Sequence, residues 1–223
     1  MFDTKRPERT GVQEAVLCES KTVEQIAAIL NFHREKKTGV LLTRLPHQKF
    51  TLLDELYPGT LSYSELGRIA TFSKPLRSLS TGHPERFGDS VAIVCGGTSD
   101  LAVVDEAEKT LLYYGIASKL FVDVGVAGLH RLLSQLEAIK YCKLIIAVAG
   151  MEAALPTVLS GLVSAPIIAV PVSCGYGVGE GGRAALRSML ASCSPGFTVT
   201  NIDNGFGAAL FAVKLINTWG KSS

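Results

Sequence analysis

A regular alternation that begins near residue 88 constrains the fold more than anything else in this chain. Apolar runs at 91–95, 118–124, 143–149, 166–172 and 198–202 have the length of buried strands. Stretches of helical character, near 99–114, 127–138, 151–163, 181–192 and 205–218, separate them, and Gly115 ends the first. Near-continuous apolar strands that alternate with helices imply a parallel sheet covered on both faces. Residues 88–223 are therefore expected to form one α/β domain with a doubly wound parallel sheet of five strands and right-handed crossovers. Open sheets of this kind take their ligands at the carboxyl ends of the strands.

Residues 1–87 are less regular and are expected to form a small N-terminal α+β region. Thr22-Val23-Glu24-Gln25 fits a capping box and opens a helix that runs to about Lys37 and stops at Gly39. Val40-Leu41-Leu42-Thr43-Arg44 reads as a strand, and Leu66 to Phe72 as a second. Ser78 to Glu85, rich in turn formers, has the character of a linker.

Composition narrows the function. The 223 residues are 47% hydrophobic with mean hydropathy +0.29, enough for a sizeable core. The net charge of +2, with acids and bases mixed along the chain, argues against a nucleic-acid footprint. No stretch approaches the length of a membrane span, and Met1 to Arg6 lacks the apolar run of a signal peptide, so a cytoplasmic protein without a membrane partner is expected. The five cysteines, at 18, 95, 142, 174 and 193, are odd in number, irregularly spaced and without a CxxC. That disfavours disulfides and structural zinc; most are expected to be small buried hydrophobes, with one or two available for chemistry.

Several motifs lie where strand and helix meet, and a thiol, a carboxylate and a Gly/Asn/Asp set are expected to converge at one edge of the sheet. Gly96-Gly97-Thr98-Ser99-Asp100 follows the first strand. Ser99 or Asp100 can cap the next helix, and free N–H groups there suit a phosphate; an ordinary capped turn would look the same. Asp123-Val124-Gly125-Val126-Ala127-Gly128-Leu129-His130-Arg131 ends the second strand, with His130 either a substrate ligand or a surface residue. Gly150-Met151-Glu152-Ala153-Ala154-Leu155-Pro156 follows the third, and Glu152 is expected in the first turn of the next helix. There it serves the helix dipole, or acts as a base, or holds a cation.

Gly177-Val178-Gly179-Glu180-Gly181-Gly182 matches the dinucleotide pattern G-x-G-x-x-G, with Asp203 at a suitable distance. That fingerprint belongs to the first βα turn of a longer sheet, and here a single strand follows. The glycines are expected to form a flexible loop over a ligand instead. Ser192-Cys193-Ser194-Pro195-Gly196 ends a helix, where the dipole does not lower a thiol pKa. Cys193 is thus either a buried structural residue or a nucleophile helped by a base or a cationic substrate. Asn201-Ile202-Asp203-Asn204-Gly205-Phe206-Gly207 ends the fifth strand with side chains suited to ribose or phosphate, or to capping by Asn204.

Together these segments resemble the LarB family of pyridinium-3,5-biscarboxylic acid mononucleotide synthases, which act first in building the nickel-pincer nucleotide cofactor of lactate racemase. The C-terminal half is similar to PurE, the aminoimidazole ribonucleotide carboxylases and mutases, a three-layer flavodoxin/Rossmann-type arrangement. The resemblance rests on Gly97 to Asp100, Asp123 to Arg131, Val148 to Pro156, Ser192-Cys193 and Asn201 to Gly207. It covers residues 88–218 and reaches more weakly to Glu14, Lys21 and Thr43-Arg44. As a set these motifs are highly specific.

The resemblance implies that nicotinic acid adenine dinucleotide, CO2 (or bicarbonate as its source) and water become pyridinium-3,5-biscarboxylic acid mononucleotide and AMP. It places the nucleophile at Cys193 and the acidic partner at Glu152. Gly97, Thr98, Ser99, Asp100, Asp123, Gly125, His130, Gly150, Met151, Asn201, Asp203 and Asn204 become the substrate-binding candidates. Mg2+ suits a reaction that cleaves a pyrophosphate, no tightly bound organic cofactor is expected, and a homo-oligomer, with the octamer of PurE-like domains as its pattern, is implied. PurE enzymes carry Gly-Gly-Ala-Ala-His-Leu-Pro where this chain has Gly150 to Pro156, so their histidine is Ala154 here. The alternatives are an aminoimidazole ribonucleotide carboxylase or mutase of purine biosynthesis, which that alanine disfavours, and a non-catalytic nucleotide-binding protein.

Overall fold

The computed structural model describes residues 6–73 and 91–219. The expected boundary at 87/88 and the Ser78–Glu85 linker lie outside the described residues.

The C-terminal unit begins with β5 (Val91–Cys95), followed by α4 (Leu101–Tyr113), β6 (Ser118–Phe121), α5 (Leu129–Lys140), β7 (Leu144–Ala149), α6 (Ala154–Ser160), β8 (Ile167–Pro171), α7 (Arg183–Leu190), β9 (Phe197–Val199) and α8 (Gly205–Trp219). All five strands are parallel, in the order β6-β5-β7-β8-β9. The apolar runs of the central strands β5, β7 and β8 are continuous because each is covered on both faces. Along β5, Val91, Ile93 and Cys95 join Leu111 of α4 and Val213 of α8 in one core. Ala92 and Val94 join Leu132 of α5, Leu159 of α6 and Met189 of α7 in another. Alternate residues of a strand face opposite ways, so one apolar run feeds both layers.

The elements end earlier or start later than the sequence pattern suggests wherever the backbone turns left-handed. The helix expected at 151–163 starts only at Ala154, because Met151 and Ala153 have φ of 52° and 51°, a conformation that an α-helix cannot contain. Glu152 therefore lies in the turn before α6, not in its first turn. The second strand stops at Phe121, leaving Asp123 (φ 58°) in the following loop, and the fifth stops at Val199, leaving Asn201 to Asn204 outside the ladder.

The N-terminal unit contains α1 (Arg6–Thr10), β1 (Val16–Leu17), α2 (Val23–Glu35), β2 (Val40–Thr43), α3 (His47–Leu56), β3 (Leu61–Ser64) and β4 (Ile69–Phe72). Its sheet, β1-β2-β4-β3, is parallel between β1 and β2 and antiparallel elsewhere. The capping box at Thr22 and Gln25 forms as the sequence predicts. Leu66 to Arg68 form the turn before β4 rather than part of a strand, and α1, β1, α3 and β3 carry no strong sequence pattern. Ile26, Leu30, Leu42, Leu53 and Phe72 make a separate core.

The two units are joined by polar and apolar contacts. Leu41 and Ile69 of the small sheet pack on Tyr113 of α4. Asp105 of α4 accepts from Ser64 Oγ (2.5 Å) and the Gly67 amide (3.0 Å). The neighbouring Glu106 accepts from Thr43 Oγ1 and, at 3.0 Å, from the Phe206 amide.

Candidate active site

A cavity of about 250 Å³ opens at the carboxyl edge of the parallel sheet, among the loops that follow β5, β6, β7 and β8. Its walls include Gly97, Ser99, Asp100, Gly125, Gly150 and Met151, six of the residues singled out from sequence, together with Glu152. Close backbone approach builds it. A Cβ on Gly125 would stand 2.6 Å from the Gly96 carbonyl oxygen, and one on Gly150 2.4 Å from that of Cys174. These two glycines let adjacent loops touch, and the Gly125 amide donates to Gly96 O at 2.9 Å.

Asp100 is buried at 3% exposure, and its Oδ2 accepts the Gly97 amide at 2.9 Å. It closes the loop after β5 and does not cap α4 through its side chain, contrary to the capping role expected for it. Burial pushes its carboxyl above the usual carboxylate range, and the Gly97 and Gly96 amides pull it part of the way back. Thr98 is exposed in the short 3₁₀ turn that precedes α4.

Asp123 and His130 line a second cleft of about 480 Å³ beside β6, where Arg131 Nη1 donates to Asp123 Oδ2 at 2.9 Å. Asp203 lies farther along the carboxyl edge. Its Oδ1 accepts the Ser173 amide at 2.8 Å. Asn204 caps α8 by accepting the Gly207 amide at 2.8 Å, and Asn201 accepts its neighbour's amide at 2.9 Å. The capping reading of Asn204 is thus the one its contacts satisfy.

Cys193 is exposed, so it is not the sealed structural thiol that the sequence left open. It does not join Glu152, however. It follows α7 and precedes β9, whose first residue, Phe197, pairs with Ile167 at the start of β8. Ser192 is hydrogen-bonded to Thr157 (2.8 Å) in the middle of α6, and Ser194 accepts from Ser160 (2.5 Å) at the end of α6 away from Glu152. Cys193 therefore sits toward the amino edge of the sheet, away from the loops that line the cavity. The expected convergence of thiol and carboxylate at one edge does not occur within one chain. In a parallel sheet a segment between a helix and the next strand always falls at the amino edge, so the order of elements already carried this signal.

The thiol that does line the cavity is Cys174, after β8. It is half-buried, and its Sγ donates to Ser99 O at 3.1 Å. Burial, then the negative charges of Asp100 and Asp203, push its pKa up, which favours the protonated form. No sequence motif marks it beyond its place after a strand. Cys18, Cys95 and Cys142 are buried, as expected of most of these thiols. The Gly177–Gly182 segment forms a kinked 3₁₀ turn whose Gly179 packs near Met151, with Val178 fully exposed.

Among the described residues, no three His, Cys, Asp or Glu side chains gather as a metal cage, and no helix is long and apolar enough to cross a membrane. The carboxylates in the cavity wall are Asp100 and Glu152, too few to hold Mg2+ by protein side chains alone.

Two family models match the chain. One, described as AIR carboxylase, matches residues 90–222; the other, described as a LarB/PurE-like N-terminal domain, matches residues 1–74. An uncharacterized protein of Methanocaldococcus jannaschii is 38% identical over 214 residues, 95% of this chain and 81% of that protein. The N5-carboxyaminoimidazole ribonucleotide mutase of the same organism is 33% identical over 131 residues, 56% of this chain and 78% of the mutase. Among solved structures, Treponema denticola PurE is 21% identical and aligns with a TM-score of 0.45 over 59% of this chain and 89% of its own.

Proposed function

We propose a function from the premise that this chain belongs to the LarB family, with an AIR-carboxylase domain of the PurE type after a LarB-type N-terminal domain. Membership makes it an enzyme of the carboxylation type. The specific reaction we assign is carboxylation of nicotinic acid adenine dinucleotide at pyridinium C5, with hydrolysis of the phosphoanhydride to give AMP and pyridinium-3,5-biscarboxylic acid mononucleotide. The observation that carries this reading is the wall of the cavity. It presents Glu152, and Ala154 stands where imidazole ribonucleotide mutases carry their proton-shuttling histidine.

The chemistry explains the need for a thiol. A nicotinate ring is an electron-poor cation whose C5 cannot attack CO2. Addition of a thiolate to the carbon beside C5 places the ring's electron pair in an enamine, and C5 becomes nucleophilic. C5 bonds to CO2, gives up its proton to Glu152, and the thiolate leaves as aromaticity returns. Covalent catalysis thus divides one inaccessible step into feasible ones. The ring's positive charge attracts the thiolate, which offsets the place of Cys193 at a helix C-terminus.

Within one chain Cys193 lies between α7 and β9, toward the amino edge, while Glu152 follows β7 at the carboxyl edge. The reading therefore requires that Cys193 enter the cavity of a second copy, which its exposure allows. A second reading makes Cys174 the nucleophile, because it already lines the cavity with Glu152. Its donated hydrogen bond and the two nearby carboxylates hold it as a neutral thiol, so Cys193 is preferred. Cys193→Ser should abolish carboxylation and Cys174→Ser should spare it; the reverse outcome selects the second reading.

The deciding experiment incubates the protein with nicotinic acid adenine dinucleotide, bicarbonate and Mg2+. AMP should appear, with a mononucleotide heavier by one CO2. Folded protein that makes neither product defeats the assignment. Growth of a purine auxotroph on this gene would favour the imidazole ribonucleotide reaction instead, and tight nucleotide binding without turnover a non-catalytic role.

A further inference from the structure

The N-terminal unit reaches the carboxyl edge of the parallel sheet through one corner, at the end of β2. Thr43 is buried there and donates through Oγ1 to Glu106, whose other carboxylate oxygen accepts the Phe206 amide at the start of α8. The next residue, Arg44, has left-handed backbone at φ 51°. Its Nη2 donates to the Asp203 carbonyl at 3.0 Å, while Glu19 stands 3.7 Å from Nη1 on the solvent side.

From Asp203 the contacts continue into the cavity. The Asp203 amide donates to Pro171 O at 2.9 Å, and its carboxylate accepts the Ser173 amide at 2.8 Å. Ser173 precedes Cys174. The Cys174 thiol donates to Ser99 O at 3.1 Å, and its carbonyl accepts the Met151 amide at 3.4 Å. One chain of hydrogen bonds thus runs from Arg44 through Asp203 to the loops after β8, β7 and β5. Arg44, Asp203 and Met151 along it all have left-handed φ, of 51°, 53° and 52°. Non-glycine residues adopt that backbone at a cost, and keep it only where surrounding contacts over-determine it.

We infer that Arg44 is a positioning residue for the cavity: its guanidinium fixes the Asp203 turn and, through Ser173, the Cys174 loop against Ser99 and Met151. The inference rests on the reading of this cavity as the reaction site. It also gives the N-terminal unit a task there, since Arg44 brings a cation to Asp203 O from the other unit. A guanidinium suits the task because its rigid fork can face Asp203 with one nitrogen and Glu19 with the other.

The test compares the full-length wild type with Arg44→Met and Arg44→Lys. Without substrate, iodoacetamide labelling at each cysteine is followed by peptide mass spectrometry. In Arg44→Met, Cys174 should label about tenfold faster, because its loop opens locally, while Cys18, Cys95 and Cys142 stay protected. Arg44→Lys, which keeps a donor, should fall between the two. An unchanged Cys174 rate overturns the inference, and so does a rise shared by all three buried cysteines, which reports general loosening. In turnover, Arg44→Met should lower kcat about tenfold with KM changed less than about twofold. A raised KM at unchanged kcat would make Arg44 a direct substrate ligand and overturn the positioning role. A wild type that labels as described but makes no product refutes the proposed reaction alone, so the two failures are separable.

Discussion

At the carboxyl edge of the five-stranded sheet the turns are strained and closely apposed; at the amino edge they are relaxed. Among described residues 91–219, the non-glycine residues with left-handed backbone are Asp123, Met151, Ala153 and Asp203, all at the carboxyl edge. Gly125 and Gly150 there admit no side chain without moving a neighbouring carbonyl. At the amino edge, Gly161 closes α6 with an ordinary φ of −81° and hydroxyl pairs join Ser192 and Ser194 to α6. Strain of this kind concentrates where a ligand is to be gripped. The carboxyl edge is thus organised by its own chain, and the proposed function asks a second copy to bring the exposed thiol of the amino edge to it.

The largest effect should come from separating the two edges. Cys193→Ser should lower carboxylation by about 10³-fold or more with almost no change in melting temperature, since the side chain is exposed. Glu152→Gln should be nearly as inactive, because the C5 proton loses its acceptor. Co-expressed, the two inactive chains should regain up to about a quarter of wild-type activity if one site draws its carboxylate and its thiol from different copies of a symmetric assembly. No recovery in mixed oligomers would sink the shared site.

A smaller effect contrasts two glycines. Gly150→Ala drives a Cβ to 2.4 Å from Cys174 O, so the backbone must shift, at about 1–3 kcal/mol. Gly161→Ala, whose nearest contact is 3.5 Å away, should be neutral or stabilise by about 0.4–1 kcal/mol. Thermal unfolding of both variants reads the difference; equal losses would erase the distinction between the edges.

The smallest effect concerns pH at the junction of the units. Burial raises the Glu106 pKa above its ordinary 4.5, against the pull of hydrogen bonds from Thr43 and Phe206 and the charge of Arg44. The native state then binds more protons than the unfolded chain between 4.5 and the raised value, so this carboxyl's contribution to stability declines as pH rises through that window. Glu106→Gln should flatten that decline. A melting profile with the same slope in both proteins would place the titration elsewhere.

Much of the fold was legible. The apolar runs located all five parallel strands, most sharply the central β5, β7 and β8, because a strand buried on both faces must be apolar throughout. The Thr22 cap was legible because its partners lie within one turn. Of the small sheet, β2 and β4 were legible but β1 and β3 were not, since those two are short, and two of its helices lack strong periodicity. Of the site, the glycine-rich loops and Glu152 were found because each follows a strand. Cys193 was placed at the wrong edge by reading its motif without its position between helix and strand. Cys174 and Arg44 gained meaning only from partners far along the chain.

The sequence by itself settled the alternation of strands and helices and the family, since these depend on local periodicity and on motifs of a few residues. Only the tertiary structure decided which loops meet. Arg44 finds Asp203 across 159 positions, and Cys174 finds Ser99 across 75. Those meetings follow from the strand order β6-β5-β7-β8-β9 and from how the small sheet docks on α4. Both are settled by long-range packing, on which local apolar patterns are silent.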